Sequence, residues 1–281
     1  MTDPLLAQFL ASLGAGDESA INLAGCALLI ARTAHPTLDA NACLARLDAM
    51  AEDVRERLEP DYTPVDAMLE LNQYLFSEQG FSGNRDAYYD PHNSFLNDVL
   101  ERRTGIPITL SLLYLEIGWR IGLELEGVGF PGHFLVKMQV NEGEVFLDPF
   151  NQGASLEMEE LEERAEQVLG GNRPLRPLLP AILAPVGKRE ILVRMLRNLK
   201  AVYLRRDDHE EALRIIEWLL ACQPESAEHL RDRGLTYQSL ECARPALADL
   251  RRYLELSPAA RDAEEIRARI IDLQHAALRL N

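Results

Sequence analysis

The chain has 281 residues, is 47% hydrophobic and 26% charged, and carries a formal net charge of −16. That length supports one large or two modest domains with real cores, and the apolar runs are far too short to cross a bilayer, so no membrane partner is expected. Residues 1–186 hold 12 Lys+Arg against 29 Asp+Glu, and residues 187–281 hold 17 against 16, so the acidic body repels phosphate backbones and no nucleic-acid partner is expected. The first residues, MTDPLLAQFLASL, lack a basic flank and a signal-peptide cleavage site, and the expected location is cytoplasmic.

Apolar periodicity predicts helices over residues 5–13, 18–32, 38–58 and 64–77, punctuated by Gly14, Gly16, His35, Pro36 and Pro60, with Asp17 and Asp39 as cap or first-turn residues. Residues 80–92, GFSGNRDAYYDPH, read as a loop, after which Phe95, Leu96, Val99 and Leu100 restore helical spacing over 93–103. Cys26, Cys43, Cys222 and Cys242 show no CxxC and no zinc spacing, so free thiols are expected, with no cofactor. Asp90, His92, His133 and Asp148 invite comparison with a metal site, but no HExxH or HxxxH pair supports one; a histidine beside a loop at the start of a helix is the simpler account of His92.

Residues 104–150 hold the one plausible site. Gly105 and Pro107 open a strongly apolar helix that Gly122 closes; Pro107 sits at a first-turn position, where its missing N–H costs nothing. Leu123, Leu125 and Val128 form a first strand ending in the turn Gly129, Pro131, Gly132. A second strand starts near His133 and alternates through Phe134, Val136 and Met138. After a turn at 141–143, a third strand runs through Val145, Phe146 and Leu147 to Asp148, where Pro149 stops it. A base and a carboxylate therefore stand at strand ends behind a buried helix. Tyr114, Trp119 and Phe130 line a pocket or belong to the core.

This order resembles the transglutaminase-like superfamily, in which a buried helix carries a cysteine at its N-terminus and the following strands carry a histidine and an aspartate. The matching positions here are Pro107, His133 and Asp148, so the nucleophile has no thiol counterpart. A helix N-terminus lowers a thiol's pKa and a neighbouring imidazole holds the thiolate, neither of which proline offers. Ser111, one turn deeper on the same face, is the alternative nucleophile for an acyl transferase or hydrolase with His133 and Asp148; Cys26 or Cys43 would have to reach His133 from the N-terminal helices. More narrowly, NSFLNDVLERRTGIPITLSLLYLE, GVGFPGHFLV and FLDPF resemble the SirB-like bacterial family, which implies a transglutaminase-like domain followed by tetratricopeptide repeats and a regulatory role with no assigned reaction.

After Gly153, LEMEELEERAEQVLGG reads as an acidic amphipathic helix, and the proline-rich residues 170–187 as an extended connection, placing a domain boundary near 186. Beyond it Tyr203 and Tyr237, Ala212 and Ala246, Ile216 and Leu250, and Pro224 and Pro258 stand 34 residues apart, the tetratricopeptide period. Gly234 fills the small-residue position of the second unit, whereas Lys200 occupies it in the first. A last helix over 261–280, through Ile266, Ile270, Leu273 and Leu278, caps the stack.

The sequence thus predicts an α+β protein: a helical N-terminal layer and a transglutaminase-like, papain-like core with a small antiparallel sheet over 1–186, then an all-α tetratricopeptide module over 187–281. The expected function is a non-catalytic scaffold that takes a protein or peptide partner through residues 190–258, with Arg194, Arg197, Arg205 or Arg233 meeting the partner's carboxylates.

Overall fold

The structure is a computed structural model that describes residues 3–14, 16–140, 143–170 and 175–279. The expected turn at 141–143 and the connection at 170–187 fall partly outside those residues, as does the side chain of Leu278. Contacts divide the chain into two compact units, Met1–Met195 and Leu196–Asn281.

The first unit begins with helices whose starts are written in polar caps. Helix α1 (Pro4–Leu13) is capped by the Asp3 carboxylate on Leu5 N. The helix expected over 18–32 is interrupted: Asp17 folds a short 3-10 turn at Glu18–Ala20, and Asn22 then opens a new helix, α2 (Leu23–Ala31), by accepting from Gly25 N. Every residue of α2 except Gly25 is buried. Helix α3 (Ala40–Arg55) starts at an Asp39 cap, and α4 (Pro64–Asn72) at a reciprocal Thr63–Asp66 capping box. The expected helix to 77 continues past Asn72 in wider π geometry over Gln73–Glu78.

Two short strands, β1 (Ser82–Gly83) and β2 (Thr104–Gly105), pair in parallel and close the loop read over 80–92. Between them a 3-10 turn (Pro91–Ser94) leads into α5 (Leu96–Arg102), which ends on Arg103 in the left-handed conformation, φ 58°. Helix α6 (Pro107–Arg120) is the buried centre of this unit: residues 107–118 are all buried.

Strands β3 (Leu125–Val128), β4 (Leu135–Val140), β5 (Gly143–Asp148), β6 (Ala154–Leu156) and the later β7 (Pro185–Val186) build a sheet in the order β6-β5-β4-β3-β7, antiparallel throughout. Its registers pair Val128 with Leu135, Val136 with Leu147 and Asp148 with Ala154. One face carries Val128, Leu135, Phe146 and Leu156, which pack with Leu161 and Ala165 of α7 (Met158–Leu169) and with Leu179 of α8 (Leu179–Ile182). Helix α6 lies against β3 and β4, and Gly118 permits the approach: a Cβ there would stand 2.2 Å from the Leu125 side chain. The proline-rich connection ends as β7 (Pro185–Val186), a short edge strand on β3, where proline's missing N–H is tolerated.

The sequence boundary near 186 precedes α9 (Lys188–Arg205), the helix in which the division between the compact units falls. Its first half belongs to the first unit. Lys188 donates to the carbonyl of Ile21, Arg189 to that of Leu13 and Arg194 to that of Phe130.

The second unit contains α10 (His209–Cys222), α11 (Ala227–Ser239), α12 (Ala243–Leu256) and α13 (Ala263–Arg279). Its core joins Ile216, Leu230, Ala246, Leu250, Tyr253, Ile266 and Ile270. The 34-residue period extends to backbone detail, since Asp207 and Glu241 adopt left-handed φ values of 55° and 58° at the turns that open α10 and α12. Gly234 lets α12 come close, because a Cβ there would lie 2.7 Å from Leu250. Lys200 is accommodated by charge. Its buried ammonium reaches Asp232 at 2.6 Å, Glu228 at 2.7 Å and His229 Nδ1 at 3.3 Å, all on α11.

Candidate functional site

The turn ahead of β4 presents His133. Gly132, at φ 65°, bends the chain, and His133 N donates to the Phe130 carbonyl at 3.1 Å. Arg194 grips the same turn from α9 by donating to the carbonyls of both Phe130 and His133, with its guanidinium 5.5 Å over the Phe134 ring. The imidazole is held by Asp148 at the end of β5, with Nε2 2.8 Å from Oδ1. Sequence reasoning anticipated that pair, and the antiparallel register that aligns Val136 with Leu147 brings its two members together.

The rest of the cradle was not foreseen. Asp148 is fully buried, and besides His133 it accepts from Asn151 N at 3.3 Å, from the Asn151 amide, and from Arg164 Nη1 of α7 at 3.0 Å. Burial alone would raise the pKa of this carboxyl. The hydrogen bond and charge of His133, with the bonds from Asn151 and Arg164, outweigh burial and hold it below the ordinary aspartate value. Arg164 also reaches Glu160 one turn earlier, so it is fixed from both ends. The i, i+3 relation of Asn151 to Asp148 was visible in the sequence; the approach of Arg164 depends on how α7 crosses the sheet.

Phe150 forms the rim, edge-on to His133 with ring centroids 5.8 Å apart. Gly83 of β1 lies beneath it, since a Cβ there would stand 2.5 Å from the ring. Arg85 sits 5.2 Å over the ring and Tyr88 packs on its edge. A buried amide ladder fixes this rim: Asn84 donates to the Asn93 side chain at 3.0 Å, and the Asn93 amide donates to the carbonyls of Ala87 and Tyr88. The Asn93 carbonyl takes the Thr109 hydroxyl at 2.7 Å, and Thr109 Oγ1 accepts from Ile106 N at the start of α6.

Pro107 is the first residue of α6. Ser111 is completely buried, and its hydroxyl donates to the Phe134 carbonyl at 3.3 Å. Cys26 lies inside α2, where burial and then the charge of Glu116 push its thiol up to about 11, which keeps it protonated at neutral pH. Cys43, on α3, is also raised by burial. Tyr114 and Phe130 are core residues, whereas Trp119 lines a cavity of about 220 Å³ together with Glu18, Val186 and Lys188.

The simpler account of His92 fits the structure: His92 turns its Nδ1 to Asp98 and Asp90 pairs with Arg102, both partners lying on α5. Three of the four arginines offered to a partner also bond within the protein. Arg194 holds the His133 turn, Arg197 reaches Gln223, and Arg233 makes a two-point bond to Asp249 at 2.6 and 2.8 Å. Neither arrangement could be read from helical spacing, which fixes a face and not its neighbour.

Comparison with known proteins completes the picture. Residues 41–197 match the transglutaminase-like superfamily and residues 199–270 the tetratricopeptide repeat. The chain is 43% identical over 275 residues to a UPF0162 protein of Xylella fastidiosa strain Temecula1, covering 98% of each. It is 33% identical over 263 residues to a UPF0162 protein of Vibrio cholerae, covering 92% of this chain and 95% of that one. It is 32% identical over 240 residues to protein SirB1 of Salmonella typhimurium, covering 85% and 86%.

Proposed function

This chain belongs to the family of SirB1 and the UPF0162 proteins, a transglutaminase-like domain followed by tetratricopeptide repeats, and on that premise we propose that it is a non-catalytic scaffold in the cytoplasm. The observation that carries the proposal is the contrast between a complete His133–Asp148 pair and a helix start that offers Pro107 instead of a thiol. Acyl transfer by this geometry needs a nucleophile that the imidazole can deprotonate. The Ser111 hydroxyl is sealed in the core and committed to a backbone carbonyl. The pair then serves the fold, because His133 and Asp148 tie the beginning of β4 to the end of β5, with Asn151 and Arg164 closing the bond network. Recruitment falls to the repeat module, which takes a protein or peptide partner through residues 190–258; membrane, nucleic acid and cofactor have no part in it.

Alkylating and acylating probes followed by mass spectrometry test the first half of this reading. The native protein should carry no label that depends on His133, and Pro107→Cys should gain a thiol whose alkylation slows when His133→Ala is added. Labelling of Ser111 that disappears in His133→Ala would overturn it and make the protein a serine-dependent acyl transferase or hydrolase. Partner recovery tests the second half: substitutions at exposed positions of 190–258 should abolish it while the first unit unfolds as in the native protein.

A further inference from the structure

His92 finds its partners on the far side of the 3-10 turn, and they form a second constellation that the His133 site does not use. His35, from the turn after α2, and His92 both point a ring nitrogen at one oxygen of Asp98 in the first turn of α5, with His35 Nε2 at 3.0 Å and His92 Nδ1 at 2.6 Å from Oδ2. The three donor atoms all lie within 4.8 Å of one another. We infer that His35, His92 and Asp98 bind one divalent transition ion of the zinc type, with the remaining coordination position open to water.

The chemistry of the donors selects that class. Two imidazoles and one carboxylate suit Zn²⁺, Co²⁺ or Ni²⁺, whereas Mg²⁺ and Ca²⁺ require shells of oxygen. In a tetrahedral site with bonds near 2.1 Å, donor atoms stand roughly 3.4 Å apart, so the observed cluster needs only small side-chain rotations to close on an ion. Each neutral ring carries its proton on the nitrogen turned away from the metal, and Asp98 supplies the negative charge.

The surroundings are those of a held ligand set. Asp98 is 6% exposed, and its other oxygen accepts from Asn97 Nδ2 at 2.9 Å, which orients the carboxylate. The buried ring of Phe95 stands edge-on to His35, with centroids 5.6 Å apart. The His35 and His92 side chains are 30% and 49% exposed, which leaves an ion a way in. Arg102, a cation on the same helix, is drawn away by Asp90 at 2.8 Å. The other group of possible ligands among the described residues, Glu228, His229 and Asp232, already surrounds a cation, the Lys200 ammonium.

An ion here would fasten three segments at a sensitive point. Asn93, next to His92, bonds to the carbonyls of Ala87 and Tyr88 and receives the Thr109 hydroxyl of α6. Metal would thus secure the loop whose Arg85 and Tyr88 pack on Phe150.

The full chain, without a purification tag and stripped by chelator, is titrated with Zn²⁺ by calorimetry and with Co²⁺ by visible absorption. One equivalent should bind, with the intense ligand-field bands of a four- or five-coordinate site. The His35→Gln/His92→Gln double variant should lose more than about 100-fold in affinity and lose those bands, because removing two ligands costs more than the roughly 10–100-fold seen when only a ligand's outer-shell partner is changed. His133→Gln should bind as the native protein does. Because both rings are partly exposed, the double variant should keep the native circular dichroism; if it does not, His92→Gln alone decides, with a loss of at least tenfold expected. Native protein that binds no more Zn²⁺ than the double variant would overturn the assignment, as would an equivalent whose loss follows Cys242→Ser and not the histidines.

Discussion

Replacing Asp148 by asparagine tests the idea that the histidine–aspartate pair is a structural bond. The buried carboxylate accepts from His133 Nε2, Asn151 N, Asn151 Nδ2 and Arg164 Nη1. Asparagine keeps one acceptor oxygen, sets an N–H₂ against donors and removes the charge. Hydrogen bonds to a charged group contribute about 1.5–3 kcal/mol each. The loss at Arg164 is small, about 0–1 kcal/mol, because that side chain is a third exposed and keeps Glu160. The expected destabilisation is therefore about 3–4 kcal/mol, a fall of roughly 1.5–2 M in urea midpoint for a slope near 2 kcal/mol/M.

The chain has two tryptophans, Trp119 in the first unit and Trp218 in the second, so a Trp218→Phe background lets fluorescence report the first unit alone. Acid supplies a second reading. The folded-state pKa of Asp148 lies below its unfolded value, so its contribution is fully present above the unfolded pKa near 4 and vanishes as pH falls through the folded value. The gap between native protein and Asp148→Asn should narrow below pH 4. A variant within about 1 kcal/mol of the native protein, or a gap that persists unchanged at pH 3, would refute the reasoning.

Further outcomes follow from the second unit and the thiols. Lys200→Met should cost about 3 kcal/mol in an unfolding curve followed by Trp218, since Asp232 keeps Arg231 but loses a buried ammonium at 2.6 Å. Adding Asp232→Asn should restore part of that loss, and strict additivity would show the two groups uncoupled. Gly234→Ala should cost about 1–3 kcal/mol by driving a methyl to 2.7 Å from Leu250; a neutral result in a thermal melt would mean that α11 and α12 have room to part. A thiol-reactive disulfide reagent should modify exposed Cys242 in the native state and spare Cys26, whose thiol is pushed up to about 11, until urea unfolds the first unit.

What the sequence made legible was whatever follows from local periodicity. The Pro107 helix start, the strand ends at His133 and Asp148, and the 34-residue spacing all emerged where spacing predicts them. The boundary prolines Pro224 and Pro258 likewise follow helices that end at Cys222 and Leu256. Misses arose where a side chain's partner comes from another element. Asp98 lies close in sequence to His92, but His35 reaches it from 63 residues away, and no pattern links them. Very short strands escaped as well: Pro185 and Val186 gain their strand character from β3 alone, and Ser82 and Gly83 from β2. Lys200 looked like a defect in its repeat because the carboxylates that accommodate it lie 28 and 32 residues later.

Arg194 bears on how the protein can be dissected. Its guanidinium fixes the two carbonyls of the turn that carries His133, from a position 61 residues downstream of that histidine. A fragment ending at residue 186, where composition invites a cut, would retain every residue of the histidine–aspartate cradle and still lose its anchor. Expression boundaries for the first unit, and any natural fusion that borrows it, have to carry the opening turns of α9 along.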